Sequence, residues 1–239
     1  MKGLIVAIQF LTRLPTPKLT VSRHEFVASI RWFPAVGLLI GALLYCAVKL
    51  SEPLGPWVSA LAALVTWVAV TGALHLDGLG DIADGSGAAH KDKAQLLAVL
   101  ADPHMGSFGT VAITLQLAIK LVLLHAIIES GASAALIAIP FAARIGPLIW
   151  ALTLPSLHQG LGDMFRPAVT PWLLGLWSLA WLASLWWTPA LLAAPLFFGA
   201  WGLWIKRRIG GISGDGHGAG IEWGESVLML AVLILGLWL

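Results

Sequence analysis

The sequence predicts an all-α, polytopic integral membrane protein: a bundle of about six or seven transmembrane helices plus an N-terminal interfacial helix, forming one membrane-embedded domain over residues 1–239. Hydrophobic residues make up 59% of the chain and charged residues only 11%, whereas soluble domains carry about 25% charged residues. The mean hydropathy is +0.89. The apolar residues also fall into windows whose lengths suit a bilayer.

Seven such windows follow one another along the chain. A helix needs about 20 residues, within a range of about 17–25, to cross the hydrocarbon core. The second, third and fourth windows reach this length, the first and fifth lie near its lower limit, and the last two are short, so we expect six or seven spans. The windows are 33–50, 57–76, 109–128, 134–154, 171–187, 190–205 and 226–239.

The first fourteen residues are apolar but too short to cross a bilayer. On a helix, Lys2, Gln9 and Arg13 would form one narrow polar stripe, which is typical of a helix lying in the membrane interface. A cleaved signal peptide is the competing interpretation. No small-residue cleavage site follows before the basic stretch, so the sequence favours the interfacial helix.

The basic residues indicate the orientation of the chain. Eleven of the fourteen lie in the segments 1–31, 77–108, 155–170 and 206–225, and the other three lie inside apolar windows. The alternate connections contain none; these are 51–56, 129–133 and 188–189. Because basic loops stay in the cytoplasm, the N-terminus and the longer connections are predicted to be cytoplasmic. Ten of the twelve acidic residues, all except Glu52 and Glu129, fall on that side.

Three aspartates directly follow the second window at positions i, i+4 and i+7: Asp77, Asp81 and Asp84. On a helix this spacing places all three on one face. Carboxylates at a membrane border are costly to desolvate and repel one another, and hard oxygen ligands suit Mg²⁺, Mn²⁺ or Ca²⁺. The triplet is therefore predicted to bind a divalent cation, with an exposed acidic loop as the alternative. The neighbouring glycines indicate a partly unwound helix.

A second polar segment, 101–109, opens the third window. Asp102 followed by Pro103 would suit an N-cap and a first helical residue, and a functional interpretation adds Asp102 as a metal ligand. His104 is a candidate phosphate contact, although lone histidines are usually structural. The glycines of this segment would expose N–H groups to an anion at a helix start.

A third polar segment, 210–225, is rich in glycine and follows the basic residues 206–208. It would suit an anion cradle, and a flexible linker is the alternative. Asp215 lies inside it, and Glu222 and Glu225 follow at helical spacing ahead of the last window.

Two basic residues lie near the middle of apolar windows. Arg144 should face the bundle interior and pair with an acid or a phosphate, whereas Lys120 would either point inward or snorkel.

Acidic ligands and glycine-rich anion sites on one membrane face suit phosphoryl transfer in which a metal ion bridges a pyrophosphate. The chain has no P-loop, no Gly-x-Ser-x-Gly motif and no zinc spacing of Cys or His.

These segments resemble the cobalamin synthase family, the adenosylcobinamide-GDP ribazoletransferases, along nearly the whole chain. The stretch 75–85 is similar to the central signature of the family and is the most specific match. The other matching segments are 10–15, 33–38, 102–109, 210–215 and 218–219. Three positions depart from the pattern: His104 stands where Arg is expected, Ser213 where Thr is usual and Gly80 where Ala is common. His in place of Arg removes a permanent bidentate donor.

The resemblance implies a bacterial inner-membrane enzyme, its site facing the cytoplasm, that joins adenosylcobinamide-GDP to α-ribazole or its 5′-phosphate and releases GMP with Mg²⁺. Membrane lipid surrounds it, and nucleic acid is not a predicted partner; a homo-oligomer or docking of other cobalamin-pathway enzymes stays open. The implied metal ligands are Asp77, Asp81, Asp84 and Asp102, with catalytic roles for Asp81 and for Asp215 as general base or extra ligand. The implied substrate contacts are Arg13, His104, Arg144, Gly211, Ser213, Glu222 and Glu225.

Two other classes stay open. A membrane phosphotransferase acting on CDP-alcohols or polyprenyl substrates also carries aspartates at helical spacing, but its usual signature has Ala-Arg after the second aspartate, which this chain lacks. A cation-coupled transporter would bind ions near the membrane midplane, whereas the acids here cluster at one border.

Overall fold

The computed structural model describes residues 2–88 and 93–236, and throughout these ranges the regular structure is helical apart from an isolated bridge between Ser156 and Ile212. The predicted all-α class is confirmed. Short 3-10 turns join several of the helices. The α-helices are α1 Lys2–Leu11, α2 Arg23–Ala28, α3 Phe33–Ser51, α4 Pro56–Thr71, α5 Leu74–Ala88, α6 Lys93–Leu100, α7 Ser107–Glu129, α8 Ile139–Ala143, α9 Gly146–Thr153, α10 Leu161–Phe165, α11 Pro171–Ser184, α12 Ala193–Arg208 and α13 Gly214–Gly236.

The described chain is that of a multi-pass membrane protein, because five of its segments are long and apolar enough to cross a bilayer. A sixth results if α4 and α5 count as one bent span. The lower predicted number of six therefore agrees with the structure. The window 171–187 forms only α11, whose 14 residues fall short of a full crossing. The five segments are Arg23–Leu54, Ser107–Glu129, Ser133–Thr153, Pro189–Arg208 and Gly214–Gly236.

The chain bends by 85° between α4 and α5. Gly72 and Ala73 have φ angles of 61° and 59° there, in the left-handed region that glycine adopts freely and alanine does not. The Arg13 backbone N–H donates to the Val70 carbonyl oxygen at 2.7 Å, and the Arg13 side chain packs directly on Gly72. These contacts hold the bend, which turns α5 away from the direction of α4 and lays it against α7 and α13.

The predicted N-terminal helix is present as α1, which is apolar and too short to span. It buries Val6, Ala7 and Leu11 and packs against α3 and the turn before it. Beside it, four phenylalanine rings from four parts of the chain form a cluster with centroid separations of 5.3–5.8 Å. We call this the phenylalanine cluster; it consists of Phe10, Phe26, Phe33 and Phe165.

Helix α13 runs through the centre of the bundle and is buried along most of its first half. It begins at Gly214, so the glycine-rich segment is largely the start of the last span rather than a linker before it. Ser213 caps the helix, since its hydroxyl oxygen accepts from the Gly216 N–H at 3.1 Å. The expectation that the aspartate triplet lies on a partly unwound helix is also wrong, because α5 is continuous from Leu74 to Ala88. Close helix packing offsets the low helix propensity of glycine in both elements.

Candidate active site

The acidic residues come together because α5 and α13 approach closely. At their closest point Gly78 faces the backbone of Asp215, and a Cβ on Gly78 would lie only 2.9 Å from the Asp215 Cα. Real Cβ contacts at this distance do not occur, so any side chain larger than hydrogen would force the helices apart. Glycine at this position therefore brings the acids of α5 next to the acid that opens α13.

Four carboxylates lie in this region. Asp77 is exposed, whereas Asp81, Asp84 and Asp215 are half-buried. Asp81 lies within electrostatic range of the other three, so the prediction that the triplet shares one face is confirmed. Within residues 2–88 and 93–236, neither Asp77 nor Asp81 has a hydrogen-bond or ion-pair partner. These two carboxylates are therefore available to a ligand, and their mutual repulsion favours a cationic one.

Asp84 is bound differently from its two neighbours. Its carboxylate oxygens accept hydrogen bonds from the backbone N–H groups of Gly106 at 2.8 Å and Gly109 at 3.0 Å. These groups lie at the start of α7, where N–H donors have no partners within the helix. Asp84 thus ties α5 to the N-terminus of α7, and the anion that these glycines bind in the described chain is an internal carboxylate.

Asp102 and His104 form a local pair in the loop before α7. The Asp102 carboxylate accepts from the His104 backbone N–H at 2.9 Å, and the His104 Nδ1 lies 2.7 Å from the same oxygen. These hydrogen bonds lower the pKa of the Asp102 carboxyl below its ordinary value. Asp102 does not cap α7, whose N-cap is Gly106. Both residues instead line an open cavity of about 350 Å³ that Asp84 also lines.

Gly211 and Ser213, the predicted anion cradle, contact other parts of the chain. Gly211 packs on the backbone of residues 155–157, which pairs with Ile212 through a hydrogen bond to the Pro155 carbonyl oxygen at 2.9 Å. Besides capping α13, the Ser213 hydroxyl lies 3.4 Å from a carboxylate oxygen of Asp215. This segment therefore fixes the start of α13 and the position of Asp215.

Arg144 is fully buried and bonded to an acid rather than open to a phosphate. Its Nη1 lies 2.8 Å from Glu225, whose other oxygen is 2.6 Å from the Lys120 Nζ. Lys120 is also 2.7 Å from Glu222, and Gln116 donates to Glu222 at 3.2 Å. Two cations and two anions thus satisfy one another inside the bundle. The sequence predicted that Arg144 pairs with an acid or a phosphate, and in the structure its partner is an acid. Glu222 and Glu225 were predicted to contact substrate, but they form ion pairs inside the bundle instead.

Arg13 is exposed, and its side chain packs at the bend between α4 and α5. It therefore lies at the break that orients α5, and Gly72, which it contacts, precedes the first aspartate of the triplet by five residues. Apart from Arg13, Gly211 and Ser213, the predicted site residues divide into three groups: the carboxylates between α5 and α13, the Asp102 loop beside Asp84, and the buried charges further along α13.

Sequence reasoning missed two histidines, His75 and His217. Both line a partly open cavity of about 100 Å³ between α5 and α13, together with Asp77 and Asp215. His217 was overlooked because its segment was interpreted as an anion loop. A helix starting at Gly214 would have placed His217 on the turn that also carries Asp215, which is the signal that could have found it.

Among the described residues, no group of three or more His, Cys, Asp or Glu side chains is arranged so that it could hold a metal ion. A magnesium site does not need such a group. Mg²⁺ usually retains waters and binds one or two carboxylates together with substrate phosphate oxygens. The unpartnered carboxylates of Asp77 and Asp81 match that ligand chemistry.

The sequence comparisons decide the family. A model of the family described as cobalamin-5-phosphate synthase matches residues 3–233, almost the whole chain. The chain belongs to the cobalamin-5-phosphate synthase family. No solved structure matches this cobalamin-5-phosphate synthase homologue.

Curated relatives support the same assignment for this cobalamin-5-phosphate synthase family member. A protein of Novosphingobium aromaticivorans named adenosylcobinamide-GDP ribazoletransferase is 56% identical, with 100% of this chain and 99% of the relative covered. Proteins of the same name from Laribacter hongkongensis and Thiobacillus denitrificans are 48% and 46% identical. They cover 98% and 96% of this chain, and 97% and 94% of their own lengths are covered.

Proposed function

We infer that this chain is a membrane-embedded adenosylcobinamide-GDP ribazoletransferase of the final part of cobalamin synthesis. It joins adenosylcobinamide-GDP to α-ribazole or α-ribazole 5′-phosphate and releases GMP. The observation that carries this conclusion is the match of the whole chain to relatives of that name, at up to 56% identity. The phosphotransferase and transporter alternatives are not favoured by any of these relatives.

The proposed chemistry is a displacement at a phosphate. A hydroxyl of the ribazole acceptor attacks the phosphorus attached to the corrinoid, the bond to the GMP oxygen breaks, and GMP leaves with its electron pair. Asp215 is the proposed general base that takes the hydroxyl proton, since it lies at the α5–α13 contact beside Asp77 and is held by Ser213.

Asp77 and Asp81 are the proposed ligands of a Mg²⁺ ion that also binds the pyrophosphate. When bound, the ion would neutralise charge on the pyrophosphate and on the leaving phosphate. These two carboxylates support the proposal because they have no partner among the described residues and lie on one helix face. Asp81 is also within electrostatic range of Asp84 and Asp215. Asp84 orients α5 through its bonds to the start of α7. Asp102 and His104 line the neighbouring cavity, Asp102 as a further candidate metal ligand and His104 as a candidate phosphate contact.

We place the protein in the bacterial inner membrane with this site facing the cytoplasm. Support for the orientation comes from eleven of the fourteen Lys and Arg residues, which lie in the segments on the same side as most of the acids, while the alternate connections contain none. Lys206, Arg207 and Arg208 end α12 on that side, next to the start of α13.

The test uses the protein purified in detergent with adenosylcobinamide-GDP and α-ribazole, and it measures released nucleotide. Wild-type protein should release GMP, and Asp77→Asn and Asp81→Asn should each lower the rate by at least about 100-fold because metal and pyrophosphate lose a ligand. Asp163→Asn is the matched control, an exposed acid in α10. Near wild-type GMP release by both asparagine variants would refute the metal assignment, and absence of GMP release by wild-type protein would refute the function.

A further inference from the structure

The partly open cavity between α5 and α13 combines an apolar wall with two buried histidines. Phe10, Phe33 and Phe165 of the phenylalanine cluster form part of its lining. Asp77 and Asp215 lie at the same cavity, and both belong to the carboxylate group at the α5–α13 contact. The cavity thus connects an aromatic lining with the proposed reaction site.

Two histidines that line this cavity have incomplete hydrogen bonding, and His217 lacks the larger number of partners. It is 7% exposed, and in the part of the chain that the structure describes neither ring nitrogen has a hydrogen-bond partner. One face of its ring stacks on Trp150 at 6.1 Å between centroids, which fixes the plane of the imidazole. His75, which is 3% exposed, also has an unpartnered Nε2, and its Nδ1 lies 3.5 Å from Arg144.

Buried polar atoms are nearly always paired, so unpaired imidazole nitrogens in a cavity point to a ligand that pairs with them. A neutral imidazole offers one N–H donor and one acceptor. A ligand that fits must therefore be mainly apolar and flat, with few polar atoms, and it must carry a group that reaches the carboxylates at the cavity edge.

We propose that this cavity receives the aromatic base of the ribazole acceptor, with the His217 ring donating a hydrogen bond to the free ring nitrogen of that base. This inference rests on the proposed function and specifies which substrate part the site recognises. The base is a flat bicycle with a single free nitrogen, which matches the phenylalanine wall and one imidazole donor. Its ribose then points toward Asp77 and Asp215, where the attacking hydroxyl is needed.

The other parts of the two substrates fit this cavity less well. Guanine presents several donors and acceptors around its edge, and a wall of phenylalanine rings would leave most of them unpaired. The corrin macrocycle with its side chains is far larger than a cavity of about 100 Å³. The acceptor base is the substrate part whose polarity agrees with the lining.

The experiment compares His217→Leu, which keeps a similar volume without hydrogen bonding, with His217→Gln, which restores a donor. Steady-state GMP release is measured against each substrate in turn. The leucine variant should raise KM for α-ribazole by roughly tenfold, with little change in kcat or in KM for adenosylcobinamide-GDP, because one hydrogen bond to the acceptor is lost. The glutamine variant should recover most of the acceptor affinity. His125→Leu is the control, since this histidine stacks on Trp57 near the end of α7, away from the cavity.

A second readout separates this proposal from the function itself. Calorimetric titration of the detergent-solubilised protein with α-ribazole alone should show binding that His217→Leu weakens and His125→Leu does not. If wild-type protein binds α-ribazole in this way yet releases no GMP, the function fails and the subsite stands. The subsite is refuted if KM rises for adenosylcobinamide-GDP instead, if neither KM changes, or if the glutamine and leucine variants lose acceptor affinity equally together with a fall in Tm.

Discussion

Replacing Gly78 with alanine should separate the two helices that carry the acids. The added Cβ would lie 2.9 Å from the Asp215 Cα and 3.0 Å from its carbonyl oxygen, both of them backbone atoms that cannot rotate away. Ordinary contact begins at 3.4 Å, so α5 and α13 must move apart by about 0.5 Å. Overpacking of this kind costs about 1–3 kcal/mol, from which the better helix propensity of alanine recovers up to about 1 kcal/mol.

The functional effect should exceed the effect on stability. A displacement approaching 1 Å between reacting groups costs on the order of 100-fold in rate, so we expect Gly78→Ala to lower kcat for GMP release by about 10-fold or more. Tm in detergent should fall by only a few degrees.

Gly175→Ala in α11 is the matched control, because no atom lies within 4 Å of a Cβ at that position. It should keep wild-type activity and Tm. Wild-type kcat in Gly78→Ala would show that the close α5–α13 contact does not set the geometry of the site.

Three further predictions concern the other contacts around the site. Asp84→Ala should leave two N–H groups at the start of α7 unpaired and lower the free energy of unfolding by about 1–3 kcal/mol, measured by thermal melting; an unchanged Tm would contradict this. Lys120→Met should leave Glu222 and Glu225 with one buried cation between them and cost about 3–5 kcal/mol, whereas the exposed Lys18→Met should have no effect; equal Tm values for the two would contradict the role of the buried charges. Removal of divalent cations by a chelator should abolish GMP release, and added Mg²⁺ should restore it; full activity in excess chelator would refute the metal.

Spacing and composition were sufficient to predict the aspartate face and most of the spans. Asp77, Asp81 and Asp84 repeat at helical spacing, and that pattern depends only on local geometry. The long apolar windows likewise predicted α3 and α7 to within a few residues, because bilayer thickness fixes their length.

Partners that are distant in sequence could not be predicted. Arg144 was expected to pair with an acid or a phosphate, and its partner Glu225 lies 81 positions further along the chain. Only the packing of α8 against α13 brings them together. The start of the last span was predicted at residue 226, whereas α13 begins at Gly214. Glycine favours a loop locally, but in this bundle it permits close contacts such as that of Gly220 with Trp150.

Four buried charges also constrain how the protein is assembled. They belong to Lys120 in α7, Arg144 directly after α8, and Glu222 and Glu225 in α13. Lys120 and Arg144 emerge from the ribosome roughly 80–105 residues before the carboxylates that neutralise them, Glu222 and Glu225. Until the C-terminal helix inserts, the nascent bundle holds two positive charges in a lipid environment without counterions, a state that is costly. Insertion of α13 is therefore the step that makes this part of the interior electrically neutral, and a chain terminated before residue 214 would retain the imbalance.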